Sequence, residues 1–343
     1  MLAVVKEREG PGFAIKDIPT PEVREDDVLI RVKSVGICGS DIPILAGTRV
    51  IPWPMTPGHE FAGDIVKVGA KVKSFGFDLK EGDRVTSCLV IGCGNCYYCV
   101  EGKESLCDNL VETGIHVDGA FAEYVRVPAK TVLKMKDGTN YDDGASIDPV
   151  ASAYRTVKAC RVTTKDVVVV FGPGPIGLYA VQLMKLRGAK CVVNVGMTED
   201  MERLKIAREL GADYIINSST ENVAERVAEI TGGKMADFVQ DCTGAPPLAD
   251  MATTILRKGG TFAITGLFHR PAEMNLGKVV RSELKVFGTI CYNRNEFEEC
   301  LDLVEAGRVK TDPLITHHFA LKDMNAAWEV IQARKAIKIM MHP

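Results

Sequence analysis

The sequence lacks the features that would point to a nucleic acid, a membrane or a secretory route. Its 42 basic and 45 acidic residues give a net charge of −3 and are interspersed, so no basic stripe can follow a phosphate backbone. Residues 167–186, the most apolar window, are interrupted by Gly-Pro-Gly-Pro and predict a strand, a turn and a helix rather than a membrane span. Residues 1–16 carry charges and too short an apolar patch for a signal peptide. We therefore expect a cytoplasmic protein with no nucleic-acid or membrane partner.

Length and hydrophobic patterning indicate two domains of different class. At about 150 residues per domain, 343 residues correspond to roughly two domains. Up to about residue 150, short runs rich in Val and Ile alternate with Gly, Pro and Asp, which is typical of short antiparallel strands. From Lys165 onward, strand patterns alternate with helical patterns of 10 to 15 residues, which predicts a doubly wound parallel sheet. The fold class is α/β, with a β-rich domain and a nucleotide-type domain.

A glycine-rich turn opens the parallel-sheet domain. The motif G-x-G-x-x-G directly follows the run VVVVF and directly precedes an amphipathic helix. Its glycines permit a tight turn, so that the unpaired N–H groups of the helix can face a pyrophosphate. A turn that serves packing alone is the alternative. The predicted dinucleotide contacts in this motif are Gly172, Gly174, Pro175, Ile176 and Gly177.

The acidic residue that commonly binds the ribose diol is missing from the end of the second strand, where the sequence is Gly196-Met197-Thr198. Without that carboxylate nothing repels a 2′-phosphate, so the sequence permits NADP, while Glu199, Asp200 or the backbone could still serve NAD. The choice between NAD and NADP stays open. Gly196, Thr198, Thr243 and Gly266 complete the predicted cofactor contacts.

Four of the eleven cysteines lie close together in a polar loop with the spacing C-x2-C-x2-C-x7-C. Four thiolates at such a spacing can close a tetrahedral site, as structural zinc requires. An iron–sulfur cluster fits less well because the last cysteine is neither three residues on nor followed by Pro. The predicted ligands of a structural zinc are Cys93, Cys96, Cys99 and Cys107.

A second constellation is split along the chain into GICGSD at 36–41, GHE at 58–60 and Asp148-Pro149. With these motifs the chain resembles the zinc-containing medium-chain alcohol and polyol dehydrogenases over nearly its full length. Further matches are DGAFAEY, the four-cysteine loop, FGPGPIG and RLKIARELGAD. The resemblance implies a GroES-like catalytic domain at 1–150 with a structural-zinc lobe at about 88–110, completed by 291–343, and a Rossmann domain at 151–290. It places the active site in the cleft between the domains.

The resemblance also assigns roles to individual residues. It implies that Cys38, His59 and Asp148 bind a catalytic zinc, and that Glu60 is a nearby carboxylate that can enter the coordination sphere. Three protein ligands leave a fourth position for substrate, where zinc lowers the pKa of an alcohol so that hydride can pass to nicotinamide C4. Ser40 is placed to take the hydroxyl proton, and Asp41 to fix the tautomer of His59. The implied cofactors are two zinc ions per chain and NAD or NADP.

Two departures from the family pattern bear on the reaction. Asp148 stands where many members have Glu or Cys, and Ile42-Pro43 replaces a histidine that completes a proton relay in many members. The relay must then end in the cofactor ribose or in water. CGSD followed by an apolar residue and Pro is similar to galactitol-phosphate 5-dehydrogenases, which favours a polyol or sugar-alcohol substrate. His317 and His318 are predicted to be surface or cap residues before the final helix.

The leading hypothesis is reversible oxidation of a secondary alcohol, with a polyol favoured and a threonine or butanediol type of dehydrogenase as the alternative. A zinc-free quinone or enoyl reductase would lack Cys38, His59 and the four-cysteine loop. A non-catalytic redox-sensing module scaffolded by zinc would leave the open site and the dinucleotide turn unused. By resemblance we expect a homodimer or homotetramer that pairs through the sheet edge at LKVFGTI, because exposed edge strands invite pairing.

Overall fold

The computed structural model describes residues 1–343. Its strands, β1 to β17, are in chain order Leu2–Val5, Ala14–Asp17, Asp27–Gly36, Glu60–Val68, Arg84–Ser87, Val90–Ile91, Val111–Glu112, Tyr124–Pro128, Val132–Lys134, Val167–Phe171, Cys191–Gly196, Tyr214–Asn217, Ala236–Asp241, Leu256–Ile264, Lys285–Gly288, Ile315–Ala320 and Lys338–His342. Its helices, α1 to α11, are Asp41–Leu45, Tyr97–Val100, Tyr141–Ala145, Ile147–Cys160, Pro175–Leu186, Met201–Glu209, Val223–Thr231, Pro247–Ile255, Leu276–Arg281, Arg294–Glu305 and Met324–Gln332. None of these helices has the length and apolar character needed to cross a bilayer.

The chain divides into two compact units. The first unit contains Met1–Pro149, Tyr292–Gly307 and Thr311–Pro343. The second unit contains Val150–Cys291 and Arg308–Lys310. Each unit has its own buried apolar cluster, as two separate cores require.

The second unit is built on one parallel sheet of six strands in the order β12-β11-β10-β13-β14-β15. This order runs third, second, first, fourth, fifth, sixth along the sheet, which is the doubly wound arrangement of Rossmann domains. The central strands β10 and β11 are almost entirely buried, because helices cover both faces of such a sheet. The strand order reverses at β10, so the turn that follows it opens at the ligand-binding edge. The predicted Rossmann fold is confirmed.

The first unit is built on a seven-stranded sheet, largely antiparallel, in the order β16-β17-β3-β4-β5-β9 with β8 also paired to β3. The long strand β3 lies at its centre and is buried at most positions, with Val28, Ile30 and Val32 in the core. Strand β17 pairs with β3 through Met340 and Gly36, which brings a distant segment into the sheet. The predicted β-rich domain is confirmed.

Three local elements differ from the sequence-based expectations. The run PLADMATTILRK before the predicted strand GGTFAITG predicts a helix as far as Lys258, but helix α8 ends at Ile255, because β14 begins at Leu256, which pairs with Ala236 of β13. His317 and His318 lie on strand β16 rather than at a helix cap, because β16 pairs in parallel with β17. Helix α4 was not predicted; it contains Pro149 in its first turn, where a missing N–H breaks no helical hydrogen bond.

Candidate active site and metal centres

The turn after β3 fixes Cys38. The backbone N–H of Cys38 donates to Oδ2 of Asp41 at 2.9 Å, and the carbonyl of Cys38 accepts from the backbone N–H of Asp41 at 3.1 Å. Asp41 is the first residue of α1 and is fully buried. This pair of hydrogen bonds closes the CGSD turn, so the Cys38 side chain stands on a defined loop at the end of the central strand.

His59 and Glu60 stand where β4 begins, and two glycines make room for them. Gly58 has a φ of +94°, and a Cβ there would lie 2.8 Å from the Phe121 ring. A Cβ on Gly36, across the sheet, would lie 2.4 Å from Oε2 of Glu60. At Gly58 only glycine tolerates both the left-handed backbone and such close approach, whereas Gly36 leaves room for the Glu60 side chain. The G of GHE and the G that ends β3 are therefore part of the site.

The structure brings Cys38, His59 and Glu60 together, and we call these residues the mixed cluster. One ligand atom from each lies within 4.8 Å of the others. The hydroxyl of Ser40 lies 3.4 Å from Nε2 of His59, and Oδ1 of Asp41 lies 3.6 Å from Nδ1 of the same ring. The imidazole therefore turns Nε2 toward the cluster and Nδ1 toward a buried carboxylate, which is the arrangement that fixes the tautomer of a metal ligand.

Asp148 lies outside that group of three. Its Oδ2 accepts a hydrogen bond from the hydroxyl of Tyr292, and both side chains are buried. The tyrosine hydroxyl in turn accepts from the backbone N–H of Leu89 at 3.2 Å. The carboxylate still acts electrostatically on His59 and Glu60, so it belongs to the same buried charge system.

Lys338 and Tyr292 are the residues that sequence reasoning missed. The ammonium of Lys338 donates to Oε2 of Glu60 and, at 3.1 Å, to the carbonyl of Ile37, and the lysine side chain is 2% exposed. The one signal for Lys338 is a charged residue at the start of the apolar run IKIMM. For Tyr292 no signal exists, because its partner lies 144 positions away.

Burial and mutual interaction set the ionisation of this region. Burial raises the pKa of Asp41, and it raises the pKa of Asp148 to about 7 against the opposing effect of His59. Burial by itself lowers the pKa of His59, but Asp41 and Cys38 outweigh it and hold the pKa well above its usual value. In the same way Glu60 and Cys38 outweigh burial and raise the pKa of Lys338.

The mixed cluster fits a divalent metal ion. Thiolate, imidazole and carboxylate are the donor types of catalytic zinc sites. Oε1 of Glu60 is buried without a hydrogen-bond partner, which costs free energy unless a ligand compensates, whereas Nδ1 of His59 and Oδ1 of Asp41 face each other at 3.6 Å. The buried carboxylates of Asp41, Glu60 and Asp148 share this region with His59 and Lys338, and a metal ion held by a Cys38 thiolate would add positive charge to it.

The cysteines 93, 96, 99 and 107, which we call the four-cysteine cluster, also come together, with their sulfurs within 4.8 Å of one another. The Cys93 and Cys99 sulfurs are 4.0 Å apart, and those of Cys96 and Cys107 are 3.9 Å apart. A zinc–sulfur distance of about 2.3 Å in a tetrahedron corresponds to sulfur–sulfur edges of about 3.8 Å. The spacing of the sulfurs therefore fits zinc.

Backbone N–H groups donate to sulfurs of the four-cysteine cluster and so stabilise the thiolate form. Sγ of Cys107 accepts from the N–H groups of Cys93 and Asn109, both at 3.3 Å. Backbone N–H groups at Asn95 and Cys96 lower the pKa of Cys93 to about 6. Burial instead raises the pKa of Cys99 to about 12. This thiol would therefore release its proton only when a metal ion binds the sulfur.

Each glycine of the predicted dinucleotide turn meets a different structural requirement. Gly172 directly follows β10 and has a φ of +92°, and a Cβ there would lie 2.5 Å from the Thr243 side chain. A Cβ on Gly177 would lie 1.8 Å from the carbonyl oxygen of Gly172, so only glycine lets the helix approach the strand. Gly174 has open space beside it and directly precedes Pro175, the first residue of α5. A pyrophosphate can approach the helix N-terminus through that space.

Neighbouring loops meet this turn at the same edge of the sheet. Oδ1 of Asp241, at the end of β13, accepts from the backbone N–H of Thr243 at 2.8 Å and from its hydroxyl at 2.7 Å. A Cβ on Gly266 would lie 2.1 Å from the backbone nitrogen of Gly244, which shows how closely the loops after β13 and β14 approach. Thr243 and Gly266 thus border the turn that contains Gly172.

The end of β11 leads into a turn with two carboxylates, of which Asp200 is engaged locally and Glu199 is exposed. A Cβ on Gly196 would lie 3.0 Å from the Pro173 side chain, so this strand end lies against the glycine-rich turn. Asp200 accepts from the backbone N–H of Met197 at 3.1 Å and lies 3.6 Å from Arg203. Thr198 is held by Ser219 and Asn217. Asp200 is thus engaged locally, whereas the exposed Glu199 stays available to a ribose, so both NAD and NADP fit this strand end.

Comparison with known proteins identifies the class. Residues 24–137 match the alcohol dehydrogenase GroES-like domain, and residues 175–306 match the zinc-binding dehydrogenase domain. The chain is 36% identical to a sorbitol dehydrogenase of Halalkalibacterium halodurans, over 100% of this chain and 99% of the relative. It is 34% identical to a D-arabitol-phosphate dehydrogenase of Enterococcus avium, over 97% of this chain and 96% of the relative. It is 32% identical to an L-threonine 3-dehydrogenase of Enterobacter sp. strain 638, over 99% of each.

Solved structures agree over the whole chain. A putative zinc-binding dehydrogenase of Sinorhizobium meliloti 1021 bound to NADP has a TM-score of 0.92 at 31% identity, covering 100% and 99% of the two chains. An alcohol dehydrogenase of Escherichia coli CFT073 complexed with NADH has the same values. Galactitol-1-phosphate dehydrogenase of Escherichia coli has a TM-score of 0.90 at 29% identity, covering 100% of both. The chain belongs to the zinc-containing medium-chain dehydrogenases, and it is an oxidoreductase that uses zinc and NAD or NADP.

Proposed function

We propose that this protein reversibly oxidises a secondary hydroxyl of a polyol or sugar alcohol, with zinc and NAD or NADP. The observation that carries the proposal is the mixed cluster, where thiol, imidazole and carboxylate donors meet and Oε1 of Glu60 is buried without a hydrogen-bond partner. The sorbitol and arabitol-phosphate dehydrogenases among the relatives favour a polyol over a simple alcohol. The galactitol-1-phosphate dehydrogenase structure supports the same substrate class.

In this proposal Cys38 and His59 hold the catalytic zinc, and Glu60 or Asp148 completes the protein ligands. Glu60 is the nearer candidate, because it lies within the group of three. Tyr292 restrains Asp148, which would have to leave or share that hydrogen bond to reach the metal. When bound, zinc supplies Lewis acidity to an alcohol oxygen, and the nicotinamide accepts the hydride.

The chain's own residues orient the ligand ring and carry the proton. Ser40 is proposed to accept the hydroxyl proton at Oγ, which lies beside Nε2 of His59. Asp41 faces Nδ1 of His59 and keeps the ring in the tautomer that leaves Nε2 free to ligate. Because Ile42 and Pro43 supply no titratable group, the proton would pass onward to the cofactor ribose or to water.

The proposed cofactor contacts are Gly172, Gly174, Pro175, Ile176 and Gly177 around the pyrophosphate, with Gly196, Thr198, Thr243 and Gly266 around the rest of the nucleotide. The N-terminus of α5 supports this assignment, because its unpaired N–H groups and dipole favour a phosphate. Both NAD and NADP remain candidates for this chain. The four-cysteine cluster is proposed to hold the structural zinc.

We propose that the assembly is a homodimer or homotetramer that pairs through β15. This strand is an edge of the six-stranded sheet, and Val286 on it is 39% exposed. We also propose a cytoplasmic location, which the reduced thiols needed for a four-cysteine zinc site support. The GroES-like domain is proposed to span 1–150 and 291–343, and the Rossmann domain 151–290.

The proposal is tested by a substrate screen combined with a metal count. Polyols, their phosphates, diols, threonine and simple secondary alcohols are assayed with NAD and with NADP. We expect the highest kcat/KM with a polyol, two zinc ions per chain, and loss of activity together with the zinc that a chelator removes first. Preference for threonine or butanediol would overturn the assignment of a polyol substrate but would leave the zinc-dependent oxidation in place. One inert zinc without turnover would instead indicate a scaffolded binding module.

A further inference from the structure

A third group of metal donors lies in the first unit, apart from both cysteine-containing clusters. Asp142 on α3, His318 on β16 and His342 on β17 present a carboxylate and two imidazole nitrogens within 4.8 Å of one another. We call these residues the surface triad. They come from three segments that only the fold brings together, and no role in the reaction has been given to them.

The spacing of the donor atoms is that of a coordination shell. Nδ1 of His318 is 3.1 Å from Nε2 of His342 and 3.5 Å from Oδ2 of Asp142, and Nε2 of His342 is 3.8 Å from Oδ1 of Asp142. Zinc–nitrogen and zinc–oxygen distances of about 2.1 Å in a tetrahedron correspond to ligand–ligand edges of about 3.4 Å. An ion could therefore bind with small movements of these side chains.

Hydrogen bonds behind the donors hold two of them in the ligating state. Nδ1 of His342 donates to the carbonyl oxygen of Lys33 at 3.0 Å, so in the neutral ring Nε2 carries the lone pair that faces the triad. The hydroxyl of Ser34 donates to Oδ1 of Asp142 at 2.5 Å and orients the carboxylate. The two imidazole rings are stacked, with their planes 16° apart. Such outer hydrogen bonds are what tune the ligands of a metal site.

We propose that the surface triad binds one divalent transition-metal ion, with zinc as the natural occupant. Two imidazoles and one carboxylate suit zinc, cobalt, nickel and copper, whereas magnesium and calcium take oxygen ligands. The His318 side chain is 53% exposed, so water can complete the coordination. Because the ion would join α3, β16 and β17, it would stabilise the folded first unit by mass action.

The test adds Co²⁺ to the purified full-length protein after dialysis to a zinc content of two ions per chain, one for each cysteine-containing cluster, which leaves the surface triad empty. Equilibrium dialysis followed by elemental analysis counts cobalt and zinc in the same sample, and visible absorption reports the coordination. We expect one cobalt ion per chain beyond the retained zinc, together with a higher unfolding midpoint. Absence of this additional cobalt would overturn the proposal.

Variants separate the surface triad from adventitious surface binding. His318→Ala removes a half-exposed ligand and is expected to weaken cobalt binding at least about tenfold. His317→Ala is the matched control, because the adjacent His317 contacts Thr316 and stacks on Phe319 rather than on the triad. Ser34→Ala removes only the orienting hydroxyl and is expected to weaken binding about tenfold. Equal cobalt affinity in His317→Ala and His318→Ala would contradict the site.

Folding is checked independently in each variant. The unfolding midpoint and near-ultraviolet circular dichroism are recorded without added cobalt, and His318→Gln provides a second replacement that keeps a polar side chain. A folded His318→Gln that still takes up cobalt as the parent does would also refute the site. The readout is metal binding rather than turnover, so this test stands apart from the proposed oxidation of an alcohol.

Discussion

The two cysteine-containing clusters of this chain differ in how they are built. The four-cysteine cluster draws all its ligands from residues 93–107, and backbone N–H groups of the same loop donate to its sulfurs. The mixed cluster is assembled from the end of β3 and the start of β4, and its buried surroundings come from as far away as Lys338. The four-cysteine cluster is thus formed within a single loop, whereas the mixed cluster depends on the pairing of strands in the sheet.

This difference distinguishes a structural metal site from a catalytic one. Four thiolates saturate a tetrahedral ion and leave no position for a substrate. In the mixed cluster, Oε1 of Glu60 is buried without a hydrogen-bond partner. A fold retains such atoms only when something compensates for them, which is why unsatisfied buried groups concentrate where ligands bind. The variants below test whether the two clusters differ in this way.

The largest effect is expected from His59→Ala. Removal of this imidazole should abolish metal binding in the mixed cluster, and with it several kcal/mol of transition-state stabilisation, equivalent to at least about a thousandfold in kcat/KM. Steady-state kinetics and zinc content measure the change. NADH binding and the zinc of the four-cysteine cluster should persist, and His317→Ala on the surface should behave as the parent. Substantial turnover by His59→Ala would defeat the mechanism.

Cys96→Ala, in contrast to His59→Ala, should chiefly lower the stability of the fold. Structural zinc contributes about 10–16 kcal/mol of binding free energy in small zinc domains, so loss of one of four ligands should cost several kcal/mol of stability. Thermal unfolding and zinc analysis follow the effect. The neighbouring Tyr97 is 68% exposed, and Tyr97→Ala is the control that should keep both zinc ions. A Cys96→Ala protein as stable as the parent would show that this lobe needs no metal.

Lys338→Met tests the buried charge balance of the mixed cluster. Removing one partner of a buried ion pair leaves the other charge uncompensated, typically at a cost of about 3–5 kcal/mol. Chemical denaturation of the zinc-depleted protein should show this loss in the free energy of unfolding. The double variant Lys338→Met with Glu60→Gln should recover much of it, because no unpaired charge is then left. Equal losses in the single and double variants would mean that the ion pair is not the cause.

The smallest effect is expected from Ser40→Ala. A positioned proton acceptor contributes at least about a hundredfold to a rate, so kcat should fall by roughly that factor while zinc content stays unchanged. Ser40→Thr keeps a hydroxyl and should retain most of the activity. The pH profile of kcat distinguishes a proton-transfer role from a structural one, since only the former shifts the profile. An unchanged kcat in Ser40→Ala would remove this residue from the proton path.

Local patterns predicted much of this architecture. The glycines of the dinucleotide turn and the four cysteines are close in sequence, so spacing alone reports their geometry. The approach of Gly177 to Gly172 shows the physical requirement behind the third glycine of the motif. Patterns failed where pairing overrides propensity, as at Leu256, which begins β14 rather than continuing helix α8 because it pairs with Ala236 of β13. They also gave no indication of Tyr292, whose partner lies far away in sequence.

The sequence by itself determined the parallel-sheet domain with its glycine-rich turn, the four-cysteine loop and the resemblance to zinc dehydrogenases, because these depend on residues a few positions apart. Only the tertiary structure showed that Glu60 lies beside Cys38 and His59, that Lys338 pairs with Glu60, and that Asp142 meets His318 and His342. Such contacts arise when strands distant in sequence pair side by side. Their geometry is set by sheet register and burial, which no single stretch of the chain contains.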